Sequence, residues 1–156
     1  MNIRLCNPSD EKKWIDINRE FMLFEISDSS LWNDTEKVND AIFQETFREA
    51  LANPSLITLL IFEEDDEIIG FANLPTVYSV WAHGKAILID DLFIKEKYRG
   101  KGFGKIAMEY IENYARENDI KRIQFQSKPS NKESKKFYNA LGFTSVDMYY
   151  YIYNLW

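Results

Sequence analysis

Ala86-Ile87-Leu88-Ile89-Asp90-Asp91-Leu92-Phe93-Ile94, running directly into Lys95-Glu96-Lys97-Tyr98-Arg99-Gly100-Lys101-Gly102-Phe103-Gly104-Lys105, is the stretch whose reading decides the fold. Its first nine residues are a near-continuous apolar run and predict one strand over 86–94, covered on both faces. Asp90 and Asp91 interrupt it. A buried unpaired charge is costly, so these carboxylates need partners or a task. The next eleven residues hold five positive and one negative side chains, with glycine at 100, 102 and 104. Small residues let a backbone approach a ligand closely. A helix start presents free N–H groups and a partial positive charge. Strand, basic glycine-rich loop and helix together are the chemistry of a pyrophosphate cradle. Two other glycine-rich loops do not fit: the P-loop Gly-Lys-Ser/Thr is absent, and the spacing is Gly-x-Gly-x-Gly rather than Gly-x-Gly-x-x-Gly.

Working outward, residues 102–118 read as a helix with Ile106, Ala107, Tyr110, Ile111 and Tyr114 on one face. Lys121–Ser127 reads as a strand. Ser130-Asn131-Lys132-Glu133 is a capping-box pattern that opens a helix to about Leu141, stopped by Gly142. Met148–Trp156 reads as a final strand with Tyr149, Tyr151 and Tyr153 on one face. That aromatic face suits sheet core, an acceptor wall or a dimer surface.

Toward the N-terminus, residues 2–6 read as a short strand. Pro8-Ser9-Asp10 opens a helix to about Ile26, with Trp14, Ile17, Phe21 and Phe24 at helical spacing. A second helix is expected from Asn33-Asp34-Thr35 to Asn53-Pro54, with Val38, Ile42, Phe43, Phe47 and Leu51 as its stripe. Leu56–Phe62 and Glu67 to about Tyr78 are strands joined by the polar turn Glu63–Asp66, and Ala82-His83-Gly84-Lys85 is a second turn. The order is mixed α/β: helices early, a central strand meander, then strand-helix-strand-helix-strand.

The chain has 156 residues, 46% hydrophobic and 28% charged. That predicts one globular domain over 1–156 and excludes disorder and low complexity. No apolar run approaches the roughly 20 residues of a membrane span. The polar start is not that of a signal peptide, which predicts a cytoplasmic protein. Cys6 is the one cysteine and His83 the one histidine. They cannot build a zinc site, and no metal is expected. Cys6 is read as packing and His83 as a surface turn residue. The net charge of −6 is split: residues 1–91 carry −11 and residues 92–156 carry +5. An acidic total argues against general nucleic-acid binding. The split leaves room for an anionic cofactor on the basic side and a cationic substrate on the acidic side.

Arg99-Gly100-Lys101-Gly102-Phe103-Gly104 resembles the Arg/Gln-x-x-Gly-x-Gly/Ala signature of the GNAT superfamily of N-acetyltransferases, and Asp91-Leu92-Phe93-Ile94 resembles its cofactor-contacting strand. A second block, Asn131, Ser134, Phe137-Tyr138 and Leu141-Gly142-Phe143, is similar to the superfamily's Asn-x-x-Ala-x-x-Phe-Tyr-x-x-x-Gly-Phe stretch. The two motifs stand in the right order about 30 residues apart, and the resemblance covers residues 86–143.

The resemblance implies a central mixed, mostly antiparallel twisted sheet flanked by helices. It implies acetyl-CoA as donor and a primary amine as acceptor, joined directly in a ternary complex. By position, Leu92, Phe93 and Ile94 would hold the pantetheine arm with their backbone. Arg99, Gly100, Lys101, Gly102, Phe103, Gly104 and Lys105 would hold the pyrophosphate. Asn131 would contact the arm, and Tyr138 would protonate the leaving thiolate. The spacing from Trp81 through Gly84-Lys85 to Asp90-Asp91-Leu92 resembles the polyamine and thialysine acetyltransferase branch, where a Glu-Asp pair precedes the strand. Asp90 takes the Glu place one methylene shorter, so a water relay would bridge to the amine; either Asp90 or Asp91 is the candidate base. Polyamine-like and aminoglycoside-like amines are the acceptors expected, and a homodimer stays open. The other class of function compatible with these residues is an acetyl-CoA-binding sensor that has lost catalysis.

Overall fold

The computed structural model describes residues 1–25, 39–153 and 155. The described chain forms two compact units, Met1–Phe125 and Gln126–Trp156. The expected start of the second helix and the end of the first, at Ile26, lie outside the described residues.

In the first unit, β1 (Asn2–Leu5) leads through a 3₁₀ turn at Pro8–Asp10 into α1 (Glu11–Glu25). The Asn7 side chain accepts from the Ser9 amide at 3.0 Å, while the Asp10 carboxylate accepts from the Asn7 amide at 2.9 Å. This reciprocal cap fixes the entry to the helix. Next come α2 (Asp40–Ala52), β2 (Ile57–Glu64), β3 (Glu67–Ser79), β4 (Gly84–Ile89), β5 (Asp91–Ile94), α3 (Phe103–Glu117) and β6 (Arg122–Phe125). The β2–β3 turn is tighter than the four residues expected. Only Asp65 and Asp66 turn, with φ of 49° and 62°. Two positive φ values in a two-residue loop suit the twist of a hairpin. His83 also has positive φ, at 55°, and is exposed in its turn.

The sheet order is β1-β2-β3-β4-β6, with β5 paired to β3. All pairs are antiparallel except β4–β6. Alternation along β2 divides the cover. Leu59 and Ile61 pack with Trp14, Ile15, Phe43 and Phe47 of α1 and α2. Thr58, on the other face, shares a 2.9 Å hydrogen bond with the Tyr114 hydroxyl of α3. The core of α3 is Ala107, Met108, Ile111 and Ala115. Ile106, expected on that face, is 42% exposed and lies at its border.

The single strand expected over 86–94 is two segments. Thr76 faces Ile87, but Asn73 faces Asp91. Three steps along β3 thus answer four on its partner, which is a β-bulge at Asp90. Pro75, which has no N–H to donate, sits in β3 at that point. Where β5 passes β3 the two approach closely: a Cβ on Gly70 would lie 2.5 Å from the Phe93 carbonyl oxygen.

The second unit holds α4 (Lys132–Ala140). The capping-box expectation is off by one residue. Asn131, not Ser130, is the cap, and its side chain accepts from the Ser134 amide at 3.0 Å. Gly142 ends the helix with φ of 91°. The strand expected over Met148–Trp156 is not formed among the described residues, and Tyr149, Tyr151 and Tyr153 are exposed. A strand exists through its ladder, and α4 is the only regular element described in this unit, so the aromatic alternation has no partner there.

Beneath β1, Arg4 donates to Asp10 at 2.6 and 2.8 Å and to Glu63 at 2.8 and 3.0 Å. Asp10 is fully buried, and the Arg4 guanidinium holds its carboxyl below the usual aspartate range. Beside it, burial pushes the Cys6 thiol up to about 12. A carboxyl lowered in the folded state contributes stability above its unfolded pKa, and the contribution is lost as pH falls through the folded value. Asp10→Ala should therefore lose about 2 kcal/mol at neutral pH. Urea unfolding should show that deficit shrinking as pH drops below about 4.

Candidate active site

The bulge forks the sheet. β4 pairs with β6 only as far as Ile89 opposite Phe125, and β5 then continues along β3 alone. The Lys95 amide donates to the Ile69 carbonyl at 2.8 Å. By alternation the Phe93–Phe71 and Asp91–Asn73 pairs also bond to β3, whereas Leu92 and Ile94 turn their backbone groups to the other edge. Of the three strand residues expected to hold an arm through backbone, Leu92 and Ile94 face the fork, and Phe93 faces β3. The Arg99 Nε donates to the Ile94 carbonyl at 2.8 Å, so Arg99 closes one acceptor of that edge. Its guanidinium also lies 5.4 Å from the Phe93 ring centroid.

From Ile94 the chain reaches α3 in eight residues. A 3₁₀ turn at Glu96–Tyr98 is fastened to the start of β3 through Glu67. Glu67 accepts from Lys97 at 2.8 Å, Tyr98 at 2.9 Å and Lys95 at 3.3 Å. Lys97 and Tyr98 hold its carboxyl down to about 2. The loop beyond is shaped by Gly100 and Gly102, with φ of 72° and 84°, where side chains are rarely tolerated. Gly102 caps α3, and no side chain bonds to the helix start. The amides of Phe103 and Gly104 therefore keep the donor character of an open N-terminus, flanked by Lys101 and Lys105. This is an anion-binding arrangement, as the sequence suggests.

The two aspartates part company. Asp90 is exposed at the bulge, and its amide donates to the Asn73 carbonyl at 3.1 Å. Asp91 is half-buried, and its Oδ2 accepts from Asn73 Nδ2 at 2.7 Å. Asn73 belongs to a buried set that sequence reading missed. Its Oδ1 accepts from the Trp14 indole at 3.1 Å, and its Nδ2 also donates to Asn18 Oδ1 at 3.1 Å. Asn18 in turn donates to the Trp14 carbonyl at 2.7 Å. An amide inside the apolar run Ile69–Leu74 was the available signal.

In the second unit, Asn131 and Tyr138 stand two turns apart at the start and end of α4, on one side of it. The cap uses the Asn131 carbonyl oxygen and leaves its NH₂ as the ligand-facing donor. The Tyr138 ring packs edge-on against Phe137 at 5.0 Å and Phe143 at 6.1 Å. Burial raises its phenol above the usual tyrosine value, so it carries its proton at neutral pH. Among the described residues no His, Cys, Asp and Glu group is arranged to hold a metal, and no helix is long and apolar enough to cross a membrane.

Comparison with known proteins fits this geometry. The profile of the acetyltransferase (GNAT) family matches residues 14–143. The uncharacterized N-acetyltransferase YhfO of Bacillus subtilis is 26% identical over 92% of this chain and 89% of its own. Thialysine N-epsilon-acetyltransferase of Bos taurus is 27% identical over 75 residues, 48% of this chain and 44% of that one. Among solved structures, AAC(6')-Iy bound to a CoA-containing bisubstrate analogue superposes with a TM-score of 0.76 at 18% identity, covering 98% of this chain and 97% of that chain. The BH1408 protein of Bacillus halodurans gives 0.77 at 21%, covering 99% and 100%. At those identities the likeness is one of fold.

Placing a carboxylate at the open helix start should destroy its anion affinity. Gly102→Asp is expected to weaken CoA binding by more than tenfold in calorimetry, with the unfolding transition retained; wild-type affinity in that variant would contradict the cradle.

Proposed function

The chain is a member of the acetyltransferase (GNAT) family, and on that premise we propose that it moves the acetyl group of acetyl-CoA directly to a primary amine of a small cationic acceptor, in a ternary complex. Its activity is that of an acyltransferase, and acetyl-CoA is the donor the family uses. The observation that carries the fuller reading is the fork. An unpaired strand edge at Leu92 and Ile94 leads within one short loop to an uncapped, basic helix start.

The residues fit the group they would hold. An extended arm bearing amides can complete the ladder at Leu92 and Ile94, as an added strand does. The amides from Gly102 to Lys105 suit a pyrophosphate, with Arg99, Lys101 and Lys105 adding charge. Asn131 would offer its NH₂ to a carbonyl of the arm. We take the two compact units to act as one N-acetyltransferase domain over 1–156, because the family match crosses from one into the other. The reduced, buried Cys6 suits a cytoplasmic enzyme.

When bound, acetyl-CoA supplies an acetyl group activated as a thioester. The chain's own contribution is proton management. A cationic amine must lose a proton before its nitrogen is nucleophilic. Asp91, held by Asn73, or Asp90 through a water, takes that proton. Tyr138 Oη holds the proton that the departing sulfur needs, and its raised pKa keeps that proton in place until transfer. The acidic N-terminal part, net −11 over residues 1–91, favours a cationic acceptor. The named relatives support an amine acceptor as well, one acting on thialysine and one structure carrying an acetylneamine analogue.

Two measurements test this reading. A panel of polyamines, thialysine-like amines and aminoglycosides, followed by thiol release and mass detection of product, should give turnover with at least one member. Tight CoA binding with no turnover on any would favour a sensor. Tyr138→Phe is expected to lower kcat by at least tenfold while CoA affinity stays within twofold; undiminished turnover would remove Tyr138 as the acid.

A further inference from the structure

We propose that Asn73 is a positioning residue for acceptor deprotonation, fixing the Asp91 carboxylate through its side-chain amide; the inference rests on Asp91 standing at the acceptor, as read above. Asn73 and Asn18 are only 7% and 6% exposed. They link α1, β3 and β5 by four side-chain hydrogen bonds of 2.7–3.1 Å.

The orientation of this set follows from its ends. An indole N–H can only donate, so the Asn73 oxygen must face Trp14. The Asn73 NH₂ is then committed to Asn18 Oδ1 and to Asp91 Oδ2. Flipping the amide would set oxygen against carboxylate and NH₂ against indole N–H, and would lose both contacts. Asn18 is locked in the same way, because the Trp14 carbonyl can only accept. The amide at 73 thus has one allowed direction, and it delivers a donor to Asp91. Hydrogen bonds donated to a carboxylate favour its ionised form. The same residue fixes the bulge, because its carbonyl accepts from the Asp90 amide at 3.1 Å.

Packing alone does not require this. Leu59, the cross-strand partner of Asn73, is apolar, as are its strand neighbours Phe71 and Leu74. A polar pair replaced by apolar groups of like shape is often neutral for stability. Nearby charges are Asp90, exposed on the same strand, and Lys13, Asp16, Glu20 and Lys95, which line a groove with Ile17 and Ile68. Glu20 and Lys95 stand 3.7 Å apart.

The test uses the full chain and two readouts on wild type, Asn73→Asp and Trp14→Phe. One is the ¹³Cγ NMR titration of Asp91 in the free protein. The other is the pH profile of kcat/KM with the panel amine that wild type acetylates fastest. Asn73→Asp puts two carboxyls at hydrogen-bonding distance, where they share a proton. The Asp91 midpoint should rise by at least one pH unit, and the acid limb of kcat/KM should rise with it. Trp14→Phe keeps a ring against Phe43 and Phe47 but removes the donor that orients Asn73. It should shift both in the same direction by a smaller amount, and it decides the matter where Asn73→Asp fails to fold. An Asp91 midpoint unchanged in the folded variants overturns the proposal. So does a shifted midpoint with an unshifted rate profile, which would leave Asn73 a purely structural residue. A wild type that acetylates no amine sinks the functional reading instead, while the NMR titration still reports whether Asn73 holds Asp91.

Discussion

β3 carries two strand segments along one edge, out of register with each other by one residue, and the remaining architecture of the first unit follows from that offset. Had β4 and β5 been one regular strand, β6 could have followed it along its whole length. The bulge at Asp90 turns the chain, so that β4 stays with β6 while β5 continues beside β3. The cost is a stretch of backbone without a ladder, and unpaired backbone groups are rarely left so in a folded chain. Leu92 and Ile94 are therefore a place where a second molecule is expected to finish the hydrogen bonding. The Pro75 of β3, the Asn73 carbonyl and the close approach of Gly70 to Phe93 all hold this offset in place.

The charge split along the sequence acquires a location. The basic residues at 95–105 and 121–136, net +4 and +5, fall on the loop before α3, on β6 and at the start of α4. Part of that charge is already occupied. Lys95 and Lys97 meet Glu67, and Lys105 meets Glu109 at 3.6 Å. What then distinguishes the helix start is less the count of lysines than its open amides and left-handed glycines. Exposed ion pairs of this kind contribute little to stability, so their arrangement serves the shape of the loop more than the fold as a whole.

How much of this was legible in the sequence depended on how local each feature is. The glycine loop, α3 and its stop, the tight turns and the apolar stripes of α1 and α2 rest on interactions a few residues apart, and they were read nearly to the residue. The cap of α4 slipped from Ser130 to Asn131, because both are good caps and only the chain path chooses between them. The break in the 86–94 strand was not visible, since a bulge is a relation to β3 and not a property of residues 86–94. The C-terminal alternation of Tyr149, Tyr151 and Tyr153 promised a strand but could not name its partner. Asn73 was overlooked for a related reason: a lone amide in an apolar strand announces a hydrogen bond but not its recipient. Asp90 and Asp91, flagged as needing partners, were resolved in opposite ways, one by solvent and one by Asn73.

The buried Cys6 has a practical consequence. Its thiol is pushed up to about 12, so at neutral pH almost none of it is thiolate, the form that reacts with disulfide reagents. It is also the only sulfhydryl in the chain. Free thiol appearing in a reaction mixture of the native protein therefore comes from the donor molecule and not from the catalyst, and colorimetric thiol reagents can be present throughout without modifying the polypeptide they are used to follow.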